Sequence, residues 1–161
     1  MTKPMKTAAM KRGLHPGELI HVGERKVEHV RMTVMDYDRD MFVEREYKAV
    51  EECLEYADRD TVTWINVNGL HDTGIINRIG EHFGKHTLVL EDILDTDKWP
   101  ELDDYVDYIF IILKMILVDK DTGRIDADQV SMLLCRNTVI SFQEGEGDVF
   151  ENIRERIRTG K

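Results

Sequence analysis

Residues 91–107 hold the densest set of side chains that could do chemistry. Glu91, Asp92, Asp95, Asp97, Glu101, Asp103, Asp104 and Asp107 lie there, with Lys98 as the one base. On a helix, Glu91 and Asp95 (four apart) share a face, as do Asp92 and Asp95 (three apart). Two carboxylates ~4 Å apart repel by about 1 kcal/mol in water and about 4 kcal/mol at an effective dielectric near 20. A partly buried cluster of this kind calls for a cation, and carboxylate oxygens are the ligands that Mg²⁺ and Ca²⁺ prefer. The plainer reading is a solvated acidic face, and composition alone leaves both open.

Other candidates are weaker. Asp119-Lys-Asp-Thr-Gly begins like a calcium loop, but its twelfth position is Val130, where a bidentate Glu is needed. A turn with Gly123 in the left-handed region is the better expectation. His82 and His86 have the spacing of a zinc pair, yet Gly84 lies between them and no third ligand is near. Cys53 falls on an apolar helical stripe and Cys135 in an expected strand, so both read as structural. There is no phosphate-cradling glycine loop and no nucleophile elbow, and an enzyme is not expected.

The elements that must position these residues follow from periodicity. Residues 27–36 and 41–47 alternate as strands, 49–57 as a short amphipathic helix, and 62–67 as a buried strand. Asp72 is placed to cap a helix with Ile75, Ile76, Ile79 and Phe83 inward, ended by Gly84. Thr87 is placed to cap the next helix, with Leu90, Ile93 and Leu94 inward. The apolar run 108–118 predicts a central strand. Strands at 125–135 and 138–143 follow, joined by a tight turn at Arg136-Asn137. Asp148 and Glu151 form a capping-box-like pair before a helix that carries Phe150, Ile153 and Ile157 on one face. The expectation is an α/β fold with a mixed, partly antiparallel sheet and helices packed on both faces. Residues 1–25 read as a flexible tail and lead-in, and 26–161 as a single domain.

The chain has 161 residues and a formal net charge of −10. Such acidity disfavours nucleic acid, whose phosphates need basic neutralisation, and it attracts cations. No apolar run approaches the ~20 residues needed to cross a bilayer. Met1 to Arg12 is basic but lacks the apolar core of a signal peptide. Two separated cysteines fit a reducing compartment.

Several blocks, in order, resemble the cytosolic N-terminal domain of the CorA family of magnesium and cobalt transport proteins. They are GLHPGELIHVGERK (13–26), WINVNGLHD (64–72), IGEHFGKHTLVLEDIL (79–94), DYIFIILKM (107–115), QVSMLL (129–134) and SFQEGEGDVFENIRERIRTGK (141–161). The resemblance implies the CorA-like soluble fold and a homopentameric parent at the cytoplasmic face of the cell membrane. Stalk helix, two membrane helices and a Gly-Met-Asn tripeptide are expected beyond Lys161, so contact with the membrane would come only through those segments. This chain is not expected to conduct ions by itself; it would be a piece of a longer channel or a shortened relative. The implied ligand is Mg²⁺, or Co²⁺, bound between neighbouring subunits and favouring the closed state. Asp92 matches the family's main carboxylate and Glu91 an outer or water-mediated ligand, with the opposing carboxylates beyond Lys161. Two departures stand out: Thr87 where the family has Pro, and Trp99-Pro100-Glu101 where it often has Arg-Pro-Lys. The alternatives are a zinc-transporting relative, in which His82 and His86 would matter more, and a free-standing soluble scaffold with no transport role.

Overall fold

The computed structural model describes residues 18–118 and 122–160. The basic run Met1 to Arg12 and the turn residues 119–121 lie outside the described residues. Strands β1 (Arg31–Tyr37) and β2 (Phe42–Tyr47) lead into helix α1 (Val50–Ala57). Strand β3 (Val62–Asn68) is followed by helices α2 (Thr73–His82) and α3 (Thr87–Leu94). The short strand β4 (Glu101–Asp104) precedes β5 (Ile109–Val118), β6 (Ile125–Leu134) and β7 (Thr138–Gln143), and α4 (Glu151–Arg158) ends the order.

All seven strands form one sheet, in the order β2-β1-β3-β7-β6-β5-β4. The β3–β7 pair is parallel and every other pair antiparallel, so the sheet is mixed as expected. Strand β5 is not central, contrary to the expectation from its nearly continuous apolar run, which only Lys114 interrupts: it is one strand in from the β4 edge. Such a run signals burial on both faces, but here Leu113, Ile116 and Val118 remain exposed.

Alternation places Ile65 and Val67 of β3, Ile140 and Phe142 of β7, Leu133 of β6, and Phe110 and Ile112 of β5 on one face. Helices α1–α3 cover it with Cys53, Leu54, Ile76, Ile79, Leu90, Ile93 and Leu94, and this is the core. At Gly80 a side chain would force Leu90 to move, because an added Cβ would lie 2.3 Å from Leu90 Cδ1 where α2 meets α3. Burial pushes the Cys53 thiol up to about 12, which fits a structural role.

The opposite face of β3 and β7 carries Trp64, Asn66, Asn68, Ser141 and Gln143, and α4 lies over it. A hydrogen-bonded network fills this layer. Trp64 Nε1 donates to Ser141 Oγ (2.9 Å), Ser141 Oγ to Asn66 Oδ1 (2.6 Å), and Gln143 Nε2 to Asp148 Oδ2 (3.0 Å). Helix α4 buries no residue fully. The Arg154–Asp148 ion pair holds it, with the guanidinium over the Trp64 ring, and Arg158 pairs with Glu44 of β2. Asp148 and Glu151 do not form the expected capping box. Phe150 is the N-cap, and Asp148 turns to Arg154 while accepting from Phe150 N (2.9 Å).

Candidate functional site

The acidic cluster is built on the end of α3. Asp72 caps α2 as expected, accepting from Gly74 N at 3.1 Å. The α3 cap is His86 rather than Thr87: its Nδ1 accepts from Leu88 N at 3.2 Å. Val89, Leu90, Ile93 and Leu94 face the core, which leaves Glu91 and Asp92 half-buried at the margin of the helix.

The last carbonyls of a helix lack partners within it. Here they find them elsewhere. Leu94 O accepts from Val22 N (2.8 Å), and Gln129 Nε2 donates to Asp95 O (3.0 Å). Lys114 Nζ donates to Thr96 O (2.8 Å). Val22 and Asp95 form a parallel bridge, so the lead-in closes over this corner. Glu144 fastens the same corner, accepting from Glu24 N (2.7 Å) and Thr96 Oγ1 (2.9 Å) with His21 and Lys26 alongside. Burial alone pushes the Glu144 carboxyl up, but these partners outweigh it and hold it below the usual carboxylate range.

Past this corner, Lys98 returns to α3 and its Nζ lies 2.5 Å from Asp92 Oδ1. Strand β4 then brings in two more acids. Glu101 pairs with Ile112 and Asp103 with Phe110, so both stand on the face that carries α3. Burial raises the Glu101 carboxyl above its ordinary value, with Asp103 adding to the shift and Lys98 opposing it. Tyr105 is raised by burial and by Asp103, Asp92 and Glu101. Asp92, Glu101, Asp103 and Lys98 thus share one local field at the edge of the sheet.

Asp95 is the C-cap of α3: its N–H donates to Glu91 O (3.0 Å), it is buried, and its Oδ1 accepts from Asp97 N (3.4 Å). Among the described residues no three or more His, Cys, Asp and Glu side chains converge as a complete metal centre. Glu91 and Asp92 could supply part of a coordination sphere. His82 does not converge with His86: it faces Asp58 at 3.6 Å while His86 caps α3. An open cavity of about 1210 Å³ lies away from the acidic cluster, lined by both bases (Arg25, Lys26, Arg31, Lys48) and acids (among them Glu46, Asp72 and Asp128).

Three features escaped sequence reading: β4, the Lys98–Asp92 pair and the Glu144 fastening. A charge pattern on 91–107 was visible, but only the fold shows which acids meet.

Among the described residues no helix is long and apolar enough to cross a membrane. Residues 59–161 match the family described as CorA-like Mg²⁺ transporter protein. The chain is 43% identical over 153 residues to the cobalt/magnesium transport protein CorA of Thermotoga maritima, across 95% of this chain and 43% of that protein. It therefore spans less than half the length of that curated relative. Its fold is similar to the soluble domain of CorA from Methanocaldococcus jannaschii (TM-score 0.54, 17% identity, 81% of this chain and 47% of that one). It is also similar to the ZntB cytoplasmic domain from Vibrio parahaemolyticus (TM-score 0.61, 15% identity, 81% of this chain and 50% of that one). At those identities the likeness is one of fold. Sequence and fold together show that the chain belongs to the CorA-like Mg²⁺ transporter family.

Proposed function

We propose that this chain is the cytosolic, divalent-cation-sensing part of a CorA-type Mg²⁺/Co²⁺ channel. Asp92 serves as its main carboxylate and Glu91 as an outer ligand reached through water. The observation that carries this reading is the placement of both acids in the last turn of α3, which has no basic residue there. The carbonyl end of a helix favours cations and disfavours anions. Two carboxylates at that end, with Glu101 and Asp103 on the adjoining strand, make a surface that gains by binding positive charge. Mg²⁺ keeps several waters and takes only one or two protein carboxylates, which suits a partial site completed from a neighbouring subunit of a homopentamer. An ion bound between subunits in the closed arrangement, and less well in the open one, favours closure by that difference in affinity alone.

The test is thermal melting of the chain over a millimolar series of MgCl₂ or CoCl₂ at constant ionic strength. Ligand at ten times its dissociation constant stabilises by about 1.4 kcal/mol. That is about 3–6 °C for a domain of this size. Asp92→Ala is expected to remove most of the rise. No rise in the wild type, or an equal rise in Asp92→Ala, would contradict the assignment of Asp92.

A further inference from the structure

The acidic corner already contains a cation that belongs to the chain. Lys98 is the one base within residues 91–107. Its ammonium contacts Asp92 directly, and the two side chains are only 33% and 26% exposed. Its backbone is held too: Lys98 N donates to Asp95 O (3.4 Å), and Asp95 is anchored by Gln129. The turn from the α3 C-cap therefore returns Lys98 to the last turn of the helix. The ammonium sits against Asp92, in the last turn of α3. Burial alone would lower Lys98, but Asp92, Glu101 and Asp95 outweigh it and hold the ammonium above its ordinary value.

We propose that Lys98 is a tethered competitor at Asp92: it fills the site in the metal-free protein, and an arriving divalent ion must displace it. This rests on the preceding reading of Asp92 as the metal carboxylate. The residue type fits reversible displacement. A lysine ammonium is a compact, strongly hydrated charge on a flexible stem, whereas an arginine would grip the carboxylate in a two-pronged fork. Lys98 sits on Asp92 Oδ1, and a divalent ion on the same carboxylate would bring two cations together, whose repulsion favours release of the lysine. Lys98 thereby sets the concentration at which the site fills, and the pair that is exchanged is weak enough for millimolar metal to compete.

The experiment is calorimetric titration of MgCl₂ into the full chain and its variants. Lys98→Gln is expected to tighten Mg²⁺ binding by about twofold to fivefold, the range of a partly exposed ion pair. Lys98→Arg should bind no more tightly than the wild type. Lys48→Gln, beyond β2 at the far edge of the sheet, controls for net charge and should leave binding unchanged. The gain from Lys98→Gln should vanish in an Asp92→Asn background. As a readout independent of substitution, Mg²⁺ should shift the side-chain NMR resonances of Lys98 in the wild type. Unchanged or weaker binding in Lys98→Gln, while Asp92→Asn still abolishes binding, would overturn the competitor and leave the Asp92 reading standing. Equal gains in Lys98→Gln and Lys48→Gln would overturn it as well. Mg²⁺ binding that Asp92→Asn does not affect would overturn both.

Discussion

Replacing Arg154 with Met should destabilise the protein by about 2–4 kcal/mol, because α4 is held by charge and not by burial. The Asp148 side chain is 4% exposed and that of Arg154 14%. Arg154 Nη1 and Nη2 reach Asp148 Oδ1 and Oδ2 at 2.8 and 2.5 Å. Removing one partner of a buried ion pair costs about 3–5 kcal/mol. The lower end applies here, since Gln143 Nε2 and Phe150 N still serve Asp148. Losing the guanidinium over the Trp64 ring (4.9 Å to its centroid) adds about 0.5–1 kcal/mol. Burial pushes Asp148 up, but Arg154, Gln143 and the Phe150 N–H together hold it below the ordinary carboxylate value. Its contribution is therefore complete above the unfolded value of about 3.9 and is lost as pH falls through the lower folded one. Without Arg154, burial dominates and protonating Asp148 relieves the variant, so the wild-type advantage should shrink on acidification. Urea denaturation followed by Trp64 fluorescence measures this, with Trp99→Phe in the background because Trp99 is 85% exposed. Asp148→Asn combined with Arg154→Met should recover part of the loss. A penalty below about 1 kcal/mol at pH 7, or one undiminished at a pH well below the unfolded value of about 3.9, would refute the charge-held helix.

Gly80→Ala should cost about 1–3 kcal/mol by forcing Leu90 from its place between α2 and α3, and Leu90→Ala in the same chain should give part of it back, as chemical denaturation would show. Gly23→Ala would put a Cβ 2.0 Å from Glu144 Oε1 and 2.4 Å from Thr96 Oγ1. It should release the lead-in, seen as faster limited proteolysis near residue 23. Glu144 is held low in the folded state, so its share of stability exists above its unfolded value and disappears as pH falls through the folded one. Glu144→Gln should accordingly flatten the acid limb of the stability-against-pH curve.

Most of the fold was legible because most elements carry their own signal. The β-branched run of β3, the stripes of α1 to α3 and the Asp72 cap are all local. Strand β4 was not legible: Glu101-Leu102-Asp103-Asp104 has no strand-forming composition, and only pairing with Ile109–Ile112 makes it a strand. The place of β5 was misread because an apolar run does not reveal which of its faces a helix will cover. His86 replaced Thr87 as the cap because a ring nitrogen can accept from the backbone as a hydroxyl oxygen does. At the candidate site, the family blocks point to Glu91 and Asp92, which the fold places half-buried in the last turn of α3. The Lys98–Asp92 pair was not, since it closes across a turn rather than at helical spacing. The Glu144 fastening joins residues 120 positions apart from Glu24, which no local pattern encodes.

The central claim is that a divalent cation binds at Asp92, and paramagnetic Co²⁺ tests it most directly. Titrating CoCl₂ into the ¹⁵N-labelled chain should broaden and shift amide signals with a steep distance dependence. The account predicts effects centred on Glu91, Asp92 and Lys98, reaching β4 next, reversed by excess Mg²⁺ and lost in Asp92→Ala. Effects centred on Asp126, Asp128 and Glu144, or spread evenly over the acidic surface, would contradict it.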